Sequence, residues 1–197
     1  MSKWRSDLEK SNQWFVNIVW PEVSEWFADE DAELIPIEGV DRELYNLFDT
    51  TAGVDFWIVE RGEGMVSLAS RVQKLDYTSF TIRYSRGSGA KTEYEKRISQ
   101  LQSHYELPTY TLQAYIDPTL EVLRNAAMAP TEELYEYIRT AGEPGVDWPL
   151  IPSNENERFF PVFWDELDGV IDLTVHDRDR AGLIAEDQAS IDAFGTP

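Results

Sequence analysis

The sequence predicts an α/β or α+β fold on a central sheet of mixed direction. Three observations lead there. Apolar stretches of strand length, bounded by turn residues, recur between residues 54 and 116. A capped amphipathic helix interrupts them at residues 92–105. The order of elements is helix, short strand, three strands, helix, strand, then helices. At 197 residues, 42% apolar and 13% aromatic, the chain can bury the core of one domain spanning residues 1–197.

The elements follow in order. Phe15, Ile18, Val19, Val23, Trp26 and Phe27 recur at helical spacing. Pro21 falls inside that pattern, so the spacing predicts a kinked helix over residues 11–28. "AELIPIEG" (residues 32–39) reads as a short extended segment, and Pro36 confines it to a sheet edge. "DRELYNLFDTT" reads as a short helix with Leu44, Leu47 and Phe48 inward. "VDFWIV" (54–59), "MVSLASRVQ" (65–73) and "SFTIRYS" (79–85) are strand candidates, the first two joined by an "ERGEG" turn.

In "TEYEKRISQLQSHY" (92–105), Thr92 and Glu95 form a capping box, and Tyr94, Ile98, Leu101 and Tyr105 form an apolar stripe. "TYTLQAYI" (109–116) is a buried strand. Asp117-Pro118 ends it and is expected to start a helix reaching Met128. "TEELYEYIRT" (131–140) is another helix, stopped by Gly142. "RFFPVFWDEL" and "VIDLTV" add a strand or two, and the chain finishes in an acidic tail. Residues 117–197 thus read as an addition to a core at 11–116.

Composition excludes several chemistries. There is no cysteine and there are two histidines, so thiolate sites and multi-histidine metal centres are ruled out. No run of 18 apolar residues exists, no secretory signal is expected, and the cytoplasm is the expected compartment. Neither a nucleophile elbow nor a dinucleotide fingerprint is present. In "VHDRDR", His176, Asp177 and Asp179 alternate across a strand, which suits a solvated edge better than a metal site. Trp14, Trp26 and Trp57 read as core, whereas Trp148 and Trp164 lie in irregular segments where a partner could anchor.

The net charge is −20, yet it is uneven. Residues 61–97 hold eight bases against four acids. A local basic surface is what an anionic ligand needs, whatever the global sign. Those bases either face such a ligand or pair with the acidic flanks. "YSRGSGAKTE" adds glycines before a helix, a place where backbone N–H groups can hold phosphate, although it is no Walker loop. If it binds, Arg83, Arg86 and Lys91 touch nucleic-acid phosphates.

Asp55 opens a strand after a Gly53 turn, and the next strand returns Ala69, Arg71 and Gln73 alongside it. Asp55 either bonds its own turn or serves a site; Arg71 either pairs an acid across strands or serves the same site. "GVD" before one strand and "ASRVQ" on the next, within this element order, resemble the PD-(D/E)xK restriction-endonuclease-like superfamily over residues 11–116. The resemblance implies an αβββαβ nuclease-like core and Mg2+-dependent hydrolysis of DNA. Asp55 then matches the metal-binding Asp, with Asp49 or Glu43 as distant acids. Arg71 stands where the family has Lys, and Gln73 is a further polar member. Ala69 replaces the family's second acid, which points to a degenerate member. "SFTIRYSRGSGAKTEYEKR" and "TLQAYID" are also similar to uncharacterised proteins of actinobacterial phages. The competing expectation, from the acid-rich ends, is an acidic interaction protein: a DNA mimic, an inhibitor binding a basic host protein, or a virion component.

Overall fold

The computed structural model of the chain describes residues 10–27, 32–37, 53–60, 64–74, 76–103, 107–154 and 156–177. The expected "DRELYNLFDTT" helix, the acidic tail and the acids Glu43 and Asp49 lie outside these residues.

Helix α1 occupies residues 10–26 and changes pitch along its length. Phe15–Val19 form a π-helical turn, closed by the Trp20 N–H on the Phe15 carbonyl. Pro21 follows, near the start of the α-helical turn Trp20–Val23. Proline has no N–H to return four residues back, so the ladder slips by one there instead of bending sharply. Phe15, Val19 and Val23 are fully buried, and Phe15 stacks on Phe56 at 4.5 Å. Burial of one such side chain is worth roughly 1.5–3 kcal/mol.

A six-stranded mixed sheet carries the domain, in the order β1-β2-β3-β5-β6-β9. Its strands are β1 (Glu33–Pro36), β2 (Phe56–Glu60), β3 (Gly64–Gln73), β5 (Tyr110–Asp117), β6 (Val122–Pro130) and β9 (Thr174–Asp177). β3 and β5 run parallel and the other neighbours antiparallel. Between β3 and β5 the chain makes β4 (Ser79–Ser85) and helix α2 (Glu93–Ser103). β1 lies at the edge, where Pro36 has no ladder N–H to lose.

Two expectations are corrected. First, β4 does not join this sheet. It pairs with β8 (Glu157–Phe163), which pairs with β7 (Ile151–Asn154), forming a second, antiparallel sheet. The free edge of β3 goes to the parallel strand β5, whose six central residues are all buried, as suits an interior strand. Second, residues 118–128 do not form a helix. Asp117 Oδ1 accepts the N–H groups of Thr119 and Leu120, Glu121 takes a positive φ of 53°, and the chain turns back as β6. Alanine-rich "NAAMA" favours a helix locally, but its small side chains fit the crowded position between β5 and β9.

Each face of the central sheet has its own core. Leu68, Val72, Leu112, Ala114 and Ile116 face α1. Tyr115, Ala127 and Ala129 face the second sheet and helix α3 (Thr131–Ala141), through Phe80, Phe160, Leu134 and Tyr135. Trp148 and Trp164 belong to this second core, 5% and 4% exposed, and so are no partner anchors. Trp148 stacks on Phe160 at 5.8 Å, and Trp164 opens the short helix α4 (Trp164–Leu167). Among the described residues, no helix is long and apolar enough to cross a membrane.

Candidate functional site

Strand register assembles the site. Arg71 is paired with Gln113 and Gln73 with Tyr115, so these side chains share the sheet face opposite the α1 core. Facing them are β4, the β7–β8 turn and the first turn of α2. Together they border an open cavity of about 1150 Å³, lined by Asp55, Arg71, Gln73, Arg83, Arg86 and Lys91 among others. All the sequence-predicted site residues within the described segments therefore meet in one place.

Asp55 sits where the β2–β3 ladder ends. Ser70 lies beyond the Phe56–Leu68 pair, and its N–H donates to Asp55 Oδ2 at 2.7 Å. The carboxylate thus satisfies a strand donor that would otherwise lack a ladder partner. The Gly53 turn is built for this approach. Gly53 has φ +61°, and its carbonyl accepts the Arg97 guanidinium at 2.8 Å. A Cβ on Gly53 would stand 2.8 Å from Arg97 Nη2. Gly53→Ala is therefore expected to cost about 2 kcal/mol, from left-handed strain and displacement of a buried arginine. Denaturant titration checks this; an unchanged midpoint would contradict the role given to the turn.

Arg71 is held on three sides. Nη1 donates to the Thr81 carbonyl at 2.8 Å, Nη2 meets Glu93 Oε2 at 2.7 Å, and the guanidinium lies 5.2 Å from the Phe159 ring centre. Its counter-charge thus comes from inside the basic segment, not from the acidic flanks. Glu93 also accepts the Tyr135 hydroxyl at 2.9 Å. Burial works to raise the Glu93 pKa, but Arg71, Arg97, the Tyr135 hydrogen bond and Arg83 together hold it below the usual carboxylate range.

Gln73 and Gln113 form the polar floor. Gln113 Nε2 donates to Gln73 Oε1 at 3.2 Å, and Thr81 donates its N–H to Gln113 Oε1 and its hydroxyl to Gln73 Oε1. Gln113 is 2% exposed, yet its amide is fully engaged.

Arg83 differs from Arg71. It too lies 5.2 Å from the Phe159 ring, its cross-strand partner, beside an irregularity in the β4–β8 register. Among the described residues it has no carboxylate at ion-pair distance, and its buried Nε has no hydrogen-bond partner. Desolvation, then Arg71 and Arg86, lower its pKa, outweighing the attraction of Glu157 and Glu93. Arg86 and Lys91 likewise have no ion-pair partner among the described residues. Six bases and three acids line the cavity, a local charge of +3 in a chain of −20.

The helix start has two of its backbone donors engaged in the cap. Thr92 N–H donates to Glu95 Oε2 at 2.7 Å and Glu95 N–H to Thr92 Oγ1 at 3.3 Å, the expected capping box.

A divalent metal does not fit the described residues. Mg2+ needs several oxygen ligands. No group of three acid or imidazole side chains converges among the described residues. Ala69 lines the cavity where a second acid would stand, and Glu93 is engaged by Arg71 and Tyr135. Cations crowd the same space.

Sequence reasoning missed Glu93 as the Arg71 partner, and missed Arg97, Gln113 and Phe159 altogether. Two signals were legible. Glu93 and Arg97 are four apart on a helix, and Gln113 interrupts an apolar strand. Compared with known proteins, this chain matches no protein family, no curated protein and no solved structure.

Proposed function

We propose that the protein binds the phosphate backbone of nucleic acid, with DNA as the ligand class, in the cavity between the two sheets. The observation that supports this is the set Arg83, Arg86 and Lys91. They are three cations at one cavity with no ion-pair partner among the described residues, in a chain with 37 acids. For the part-buried Arg83, Glu157 and Glu93 act only from beyond ion-pair distance, and a bound phosphate would lower the cost of its burial. Arg71, tied to Glu93 and Thr81, positions the wall. Asp55 keeps the β3 edge satisfied. The reading takes the scaffold as nuclease-like, as the resemblance of "GVD" and "ASRVQ" implies, and assigns it binding rather than hydrolysis.

Fluorescence anisotropy with labelled DNA, in EDTA and over a salt series, tests this. Binding is expected at low salt, retained in EDTA. Log affinity should fall against log salt with a slope of about −2 to −3, from about three phosphate contacts. Asp55→Asn, which keeps an acceptor for Ser70 and removes a negative charge, is expected to bind at least as tightly. In Mg2+ or Mn2+, plasmid should stay intact. No binding to single- or double-stranded DNA at low salt would overturn the proposal. Weight would then pass to the acidic exterior as a surface for a basic protein.

A further inference from the structure

Resting on that reading, we infer that the cavity takes single-stranded nucleic acid and rejects the blunt duplex. Three observations carry it. The first is shape. The cations line a concavity of about 1150 Å³, whereas duplex grooves are read by elements that protrude into them. The floor, with Gln113 and Thr111, is buried, while Gly87, Ser88, Lys91 and Asn156 at the mouth are exposed. Gly87 and Asn156 extend the paired β4–β8 wall: a Cβ on Gly87 would stand 2.4 Å from Asn156 Cβ. A flexible strand can follow such a recess more closely than a rigid double helix can.

The second is charge. With −20 on the chain and +3 at the cavity, the remainder carries −23. A duplex has one charge about every 1.7 Å, so it sets more negative charge against a chain of −20 than a single strand does. A single strand carries half as many and buries them among the bases. The third is the wall itself. Single-strand sites combine a cationic groove with aromatic and polar surface. Here Phe159 on β8 lies 5.2 Å from both the Arg71 and the Arg83 guanidinium, and the Gln73 and Gln113 amides form the floor beneath.

Anisotropy at low salt with three DNAs tests this: a single strand, the blunt duplex of that sequence, and the duplex with a single-stranded overhang. The single strand and the overhang are expected to bind alike, and the blunt duplex at least about tenfold more weakly. Lys91→Gln, an exposed change that leaves the core alone, should weaken the single strand about threefold. A blunt duplex bound as tightly as the single strand would overturn this inference and leave nucleic-acid binding standing. Unchanged single-strand affinity in Lys91→Gln would overturn the cavity as its place. Failure of all three DNAs to bind would overturn both readings.

Discussion

Arg83→Met is expected to stabilise the free protein by about 1 kcal/mol and to weaken DNA binding about 10- to 100-fold. The opposite signs share one cause. Arg83 keeps a guanidinium part-buried beside Arg71 and Arg86, with a buried Nε that finds no acceptor among the described residues. Methionine keeps the apolar stem against Phe159 and removes the unsatisfied charge. What is lost is a charge-assisted contact to phosphate, worth roughly 1.5–3 kcal/mol. Thermal unfolding and anisotropy on one preparation read both effects. A variant both less stable and unimpaired in binding would show that Arg83 is a structural residue and would remove the main support for the anion site.

Glu93→Ala is expected to act in the other direction, lowering stability by about 3 kcal/mol. The Glu93 carboxylate joins three elements: it takes Arg71 from β3 and Tyr135 from α3, and it starts α2. Removing it leaves a guanidinium and a buried tyrosine hydroxyl without their acceptor. Inorganic phosphate should partly restore the melting temperature of the variant, because a cavity with one acid fewer holds an anion more tightly. The pH dependence has a defined sign. The folded-state pKa of Glu93 lies below its unfolded value, so its contribution is complete above the ordinary carboxylate range and is lost as pH falls through the depressed value. Wild type should therefore lose stability on acidification below about pH 4, and Glu93→Gln should flatten that limb. Parallel acid limbs in the two proteins would contradict the assignment.

The two variants separate the roles within one cavity. Glu93 with Arg71 is a settled pair that ties elements together, whereas Arg83, Arg86 and Lys91 lack partners of this kind among the described residues. The proximity of all five in the chain hid this division. In sequence they form a single basic stretch with one acid at the helix start. Which base the acid takes depends on where β3 and α2 meet, since Arg71 and Glu93 are 22 residues apart.

Much of the local structure was legible. Strand boundaries at residues 79–85 come directly from the alternating pattern and the glycines that follow. The capping box of α2 is local chemistry, since Thr92 and Glu95 lie within one helical turn. Gly53 before Asp55 marked a turn, and the turn exists with positive φ. Pro36 marked an edge strand, and β1 is at the edge. The errors are of another kind. Residues 118–128 carry alanines that fit a helix, and only the neighbours β5 and β9 make them a strand. Trp148 and Trp164 stand in segments without period, and only the far-off Phe160 and Phe80 make them core.

The sequence by itself determined the mixed α/β class, the turns and caps, the absence of cysteine chemistry and the presence of a basic centre in an acidic chain. These follow from steric preferences and hydrogen bonds that act within a few residues. Only the tertiary structure decided that β4 leaves the main sheet, that Glu93 reaches Tyr135 across 42 residues, and that Arg83 has no carboxylate at ion-pair distance among the described residues. Strand neighbours and ion partners are chosen by competition among groups distant in the chain. Coulomb attraction and desolvation in a folded interior depend on distances that no spacing along the sequence encodes.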